Sequence, residues 1–327
     1  MDSSKKWRLP VSIIVLILVL IFVNYQAAKI YSAHNQGNYL AAISDKEELL
    51  KNTPSPKVIL VGGSNVAFGF DSKIIGAKLG MPVVNTGLQG GVGIRFALNF
   101  VKPYIHEGDI VIVSPEYENI LDQMTGGDVL AEMLLLYPKG FHSLSSLNEA
   151  WEFIRAFPTI HTNGIHLVLE DKVTNECKEC IGNRIIYYRS AFDPNTGDIT
   201  TNNTNINKFG QHELVLDYTV PNARLNRNIA FFNQFDQFVA SQNAAMYFVY
   251  PSIVDNFDEK TNEVLQKTSA ILERDLNFPI LGTLKESVFP NDLMFDTFYH
   301  LNNKGRTMRS GKIADDLCLA DTKLKCN

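Results

Sequence analysis

Basic residues are in short supply. Lysine and arginine number 30 against 35 aspartates and glutamates, giving a net charge of −5 and a sequence pI near 5.8. A nucleic-acid partner calls for a basic patch or stripe, and the chain carries none. Internal repeats are missing, which sets repeat arrays aside. The dinucleotide fingerprint is missing as well: Gly62, Gly63 and Gly69 do not have the G-x-G-x-x-G spacing. Cysteine is scarce, with four residues in two local pairs, Cys177 with Cys180 and Cys318 with Cys326. In an oxidising compartment an even count suggests structural disulfides. A four-thiolate zinc site is the alternative, but the second pair is spaced too widely for the usual knuckle. A redox CxxC would open a helix beside a βαβ pattern, and that context is absent. The expectation is disulfides, with no metal and no cofactor.

What the chain does have is a core. It is 45% hydrophobic and 20% charged over 327 residues, enough for one large domain or two small ones. The N-terminus is different. Lys5, Lys6 and Arg8 precede a run over 11–23 that is apolar except for Ser12. That core has the length of a signal-peptide apolar region, but its extension to Tyr31 reaches the ~20 residues of a membrane span. Tyr31-Ser-Ala33 is a poor cleavage site, so an uncleaved anchor is the favoured reading. Either way the basic end stays in the cytoplasm and the rest lies outside the membrane. The expected organisation is an anchor over 1–31, a polar, partly helical linker over 32–56, and one α/β domain over 57–327.

Within that domain apolar runs alternate with helical spacing. Strands are expected at 57–61, 82–85, 109–114, 245–250 and 279–281. Helices are expected at 71–79, 93–105, 129–137, 147–157, 222–241, 259–276 and 302–317. Strands that are apolar on both faces and alternate with helices imply a parallel sheet covered on both sides. The segment 177–221 breaks the pattern. It is polar and turn-rich, reads as an insertion, and holds a sequon at Asn202 whose plainer reading is a polar turn.

Chemistry-bearing residues collect at strand ends. Gly62 and Gly63 follow the first apolar run and deliver Ser64 to its carboxyl end, where open α/β sheets hold their sites. The plain alternative is a tight turn with a helix-capping serine. A serine needs a neighbouring base, which His300 could supply, with Asp296 fixing its tautomer. Glycines over 87–91 follow the second strand and allow backbone amides close to a substrate. After the third strand, Asn119 could donate from its amide. Glu116 and Glu118 could hold a polar loop or bind sugar hydroxyls.

The order of these blocks resembles the SGNH/GDSL hydrolase superfamily across most of 57–317, with 177–221 outside the likeness. The resemblance implies a flavodoxin-like three-layer α/β sandwich with a mostly parallel sheet. It makes Ser64 the nucleophile, Gly90 an oxyanion glycine, Asp296 the acid and His300 the base. There are three departures. Gly63 stands where the familiar motif has Asp. The third block lacks Gly-x-Asn-Asp, so Asn119 is only the nearest oxyanion candidate. Three residues separate Asp296 from His300 where two are usual. These departures look like the membrane-anchored branch similar to alginate O-acetylation and teichoic-acid D-alanyl transfer proteins. The chemistry implied is acyl transfer through an acyl-serine, as an esterase or an O-acyltransferase. Its partners would be an envelope polysaccharide or lipid-linked glycan and a membrane acyl-donor protein. The alternative is a non-catalytic relative that binds glycan or scaffolds an envelope complex.

Overall fold

A computed structural model describes residues 3–147, 149–151, 153–155, 180–181, 184–200, 213–322, 324 and 326. Five parallel strands form the central sheet: β1 (Val58–Gly62), β2 (Val83–Asn85), β3 (Ile110–Ser114), β4 (Ala245–Val249) and β5 (Ile280–Leu281). Their order is β2-β1-β3-β4-β5, which is compatible with a flavodoxin-like fold. Val58 pairs with Val83 on one side and Ile110 on the other, so β1 is central.

The period of two along each strand sends alternate side chains to opposite faces. Ile59, Val61, Val111, Val113, Met246 and Phe248 join one core. Val58, Leu60, Ile110, Ile112, Tyr247 and Val249 join the other. The helices of the domain are α2 (Ile43–Asn52), α3 (Ser64–Gly69), α4 (Ser72–Leu79), α5 (Ile94–Val101), α6 (Tyr117–Leu121), α7 (Asp128–Leu136), α8 (Ala223–Ser241), α9 (Glu259–Asp275) and α10 (Asn303–Ala320). Ile75 and Leu79 of α4, with Ile313, Ala314 and Leu317 of α10, cover the second face. The first face takes α2, α5, α8 and α9.

Several boundaries follow from local chemistry. Asp71 caps α4 by accepting from the Lys73 and Ile74 amides, and Asn302 caps α10 by accepting from Gly305. The helix expected over 93–105 is shorter. It ends at Val101 and tightens to a 3-10 turn over Lys102–Tyr104, because Pro103 has no amide hydrogen to continue the ladder.

The segment expected as a linker is instead packed. Tyr39, Leu40, Ala41, Ala42, Ile43 and Leu50 are buried in the main core. Lys46 is buried too, because its ammonium donates to the carbonyls of Asn85 and Gly197 at 2.9 and 2.8 Å and lies over the Phe192 ring. Burial pushes its pKa down to about 7.

The N-terminal residues form α1 (Ser3–His34), which exposes Val11, Ile13, Ile14, Leu16, Phe22 and Val23. Among the described residues no helix is long and apolar enough to cross a membrane. Cys318 and Cys326 form a disulfide at the end of α10, so those sulfurs are not zinc thiolates. Cys180 begins a two-residue strand paired with Arg184–Ile185, whereas Cys177 lies outside the described residues, as do Asn202 and positions 148, 152, 156 and 157 of the helix expected over 147–157.

At the amino ends of β1 and β3 the Asp109 carboxylate accepts from the Lys57 and His106 amides, each at 2.9 Å. It also pairs with the Lys57 ammonium at 3.1 Å, and both side chains are almost fully buried. Asp109→Ala leaves that ammonium uncompensated and should destabilise the fold by about 3–5 kcal/mol. Urea unfolding should show a lower midpoint at unchanged slope.

Candidate active site

The order of strands places β1 and β3 side by side, with their following loops diverging. A crevice at such a point is where open parallel sheets hold their ligands. Gly63 ends the turn after β1, and Ser64 is the first residue of α3. Gly63 occupies the cap position and no side chain caps this helix, so Ser64 is not the capping serine of the plainer reading.

The loop before α10 folds back on itself. The Phe295 amide donates to the His300 carbonyl at 2.8 Å, and Thr297 Oγ1 accepts from the His300 amide at 3.2 Å. This closure brings His300 Nδ1 to 2.7 Å from Asp296 Oδ1, with both side chains 5% exposed. The imidazole stacks on Phe68 of α3 at 4.1 Å between ring centroids and 7° between planes. A ring held by a carboxylate at Nδ1 carries its hydrogen there and leaves Nε2 as the acceptor. Among the described residues Nε2 has no hydrogen-bond partner.

Ser64 and His300 line one cavity of 470 Å³, together with Asn38, Tyr39, Gln89, Glu132, Tyr187 and Thr297. Ser64 does not hydrogen-bond His300. Its hydroxyl donates instead to Glu116 Oε1 at 3.2 Å, and the Asn65 amide donates to the same oxygen at 3.2 Å.

Glu116 follows β3 and is buried where the two loops meet. Its carboxylate lies against the α-carbons of Gly63 and Gly90, and a Cβ at either position would overlap it. That contact is why glycine stands at both places. Burial pushes the Glu116 carboxyl up. The Asn65 amide, the charge of His300 and the Ser64 hydroxyl oppose the shift, whereas nearby Glu118 adds to it.

Gly90 lies against Glu116 and next to Gln89 of the cavity wall, and does not itself line the cavity. Asn119 does not face the cavity. Its amide donates to the Gly90 carbonyl at 3.2 Å and its oxygen accepts from the Ile94 amide at 2.9 Å, so it shapes the 90–94 turn. Glu118 accepts from the Tyr299 hydroxyl at 2.9 Å.

Tyr187 comes from the expected insertion. Its hydroxyl donates to Asp296 Oδ2 and sits 3.4 Å from His300 Nδ1. The same segment is anchored by Asp198, which accepts from the Ser72 amide and hydroxyl and from Asn85 Nδ2 at 2.7–2.8 Å. Nothing local in the sequence marks Tyr187, which lies 109 residues from Asp296. Glu116 had a signal: it follows β3 as Ser64 follows β1, on the two strands flanking the crevice.

Beneath the site, the buried Arg309 guanidinium donates to the Tyr250 carbonyl at 2.8 Å, Ser114 Oγ at 3.0 Å and the Asn65 carbonyl at 3.3 Å. It ties the ends of β1, β3 and β4 together. Burial pushes its pKa down to about 9.

No protein-family model, no curated protein and no solved structure matches this chain.

Proposed function

We propose that this chain is an extracytoplasmic serine esterase or O-acyltransferase of the SGNH type, acting on envelope polysaccharide or lipid-linked glycan. The observation that carries the reading is the shared cavity, onto which Ser64 and the Asp296-held His300 both open. In the reaction Ser64 turns from Glu116 to another staggered rotamer. His300 Nε2 takes its proton as Oγ bonds to an ester carbonyl carbon. The carbonyl π pair moves onto oxygen, where amides of the Ser64 and Gly90 turns would hold it. Collapse breaks the bond to the leaving oxygen, which takes the proton from His300. A second hydroxyl then repeats the sequence on the acyl-serine. Water completes hydrolysis, and a sugar hydroxyl completes transfer.

Asn38, Gln89 and Thr297 on the cavity wall suit a hydroxyl-bearing acceptor, and Glu132 disfavours a polyanion. The strand order supports a flavodoxin-like three-layer sandwich. In the sequence, Lys5, Lys6 and Arg8 ahead of an apolar run favour a single-pass anchor with a cytoplasmic N-terminus.

A serine-directed fluorophosphonate tests the reading. The folded chain should label, and Ser64→Ala should not. The Ser64–Glu116 hydrogen bond favours a second reading, a non-catalytic glycan binder, and absence of labelling in folded protein would support that one. Tyr187→Phe keeps the ring but removes a hydrogen bond to a carboxylate, worth about 1.5–3 kcal/mol. It should lower kcat by roughly ten-fold or more and leave KM nearly unchanged in steady-state ester assays.

A further inference from the structure

Glu116 is a buried carboxyl without an ion-pair partner among the described residues. Among the described residues its hydrogen-bonding partners are the Ser64 hydroxyl and the Asn65 amide, both on Oε1. Its other oxygen, Oε2, lies against Gly63 and Gly90. A carboxylate taken out of water without a partner ion costs several kcal/mol, and the usual relief is to bind a proton. A negative charge there would also repel the charge that forms on an ester oxygen when Ser64 attacks. A neutral carboxylic acid reverses that effect, because its O–H is a donor; with Oε1 accepting from Ser64 and Asn65, the proton sits on Oε2, beside the Gly90 turn. The carboxyl is packed between the two glycines. The Asn119 amide is tied to the Gly90 and Ile94 backbone.

We infer that Glu116, held as a neutral acid between Gly63 and Gly90, is the side-chain hydrogen-bond donor to the oxyanion formed when Ser64 attacks an ester. The inference rests on the serine-acyl reading above. Its proton is shared with the oxyanion and not transferred, so the bonds made and broken remain those of Ser64, His300 and the ester. The Tyr39 hydroxyl is tied to the Leu88 carbonyl at 2.7 Å, and Glu118 accepts from Tyr299 at 2.9 Å.

Two measurements on the full chain decide it. Wild type labelled with δ-¹³C-glutamate should show one carboxyl carbon at the shift of a neutral acid at neutral pH; a spectrum with every glutamate ionised overturns the inference and needs no variant. The second is the rate of Ser64 labelling by a fluorophosphonate. Glu116→Ala should slow it by on the order of 10²-fold, the loss of one oxyanion donor. Glu116→Gln, which keeps an N–H donor, should slow it by roughly ten-fold or less. Faster labelling in Glu116→Ala would make Glu116 a plug, and equal large losses in both variants would make it a base; either result overturns the inference. If wild type itself does not label, the serine-acyl reading fails first and takes this inference with it.

Discussion

Ser64→Ala is expected to lower ester turnover by on the order of 10⁴- to 10⁶-fold, with folding intact. The size follows from the role, since loss of the nucleophile removes the covalent route and leaves only binding and oxyanion contacts. The intact fold follows from the surroundings. Ser64 caps no helix, and among the described residues its hydroxyl makes one hydrogen bond, to Glu116. Losing it removes about 1 kcal/mol of net interaction at most, so the thermal midpoint should move by only a few degrees. A variant that lost activity by unfolding would fail the same thermal scan.

Asp296→Asn should cost about 10⁴-fold in kcat. Asp296 Oδ1 accepts from His300 Nδ1, and Oδ2 accepts from Tyr187. An asparagine can keep both contacts only in part. If its amide faces Nδ1, the ring must accept there and carry its hydrogen on Nε2, the wrong nitrogen for taking a proton from Ser64. If its oxygen faces Nδ1, the amide N–H₂ meets the Tyr187 hydroxyl. In either orientation the full negative charge that stabilises an imidazolium is gone. The measurement is kcat against pH for both proteins, with Tyr187→Phe in the background of Asp296→Asn. Because both changes act through His300, the double variant should lose much less than the product of the two single losses.

The parts of this molecule that follow local rules could be read before any coordinates. The runs around Val58, Ile110 and Ala245 are apolar on both faces, and each is a sheet strand. Asp71 and Asn302 start helices by accepting from the amides that helix ends leave unpaired. Asp296 and His300 are four residues apart on one loop, so their meeting needed little from the rest of the fold.

Other features depended on distant partners. Residues around Lys46 read as polar linker because a lysine rarely enters a core. It does so here because two backbone carbonyls, contributed by segments far apart in sequence, accept from it. Tyr187 reaches Asp296 across 109 residues, and no spacing rule spans that distance. Asn119 looked available because a sequence does not show which amides a turn has already used. Glu116 is the instructive case. Its neighbours Gly63 and Gly90 were noted for backbone freedom, whereas in the fold they are small because a carboxyl occupies the space a side chain would take.

The account turns on Ser64 forming a bond to an acyl group. The direct measurement is peptide mass spectrometry of the full chain, acid-quenched during turnover of p-nitrophenyl acetate. The account predicts an acetyl group on the peptide containing Ser64, absent from Ser64→Ala. Folded wild type without that adduct, together with ester turnover that persists undiminished in Ser64→Ala, would contradict it.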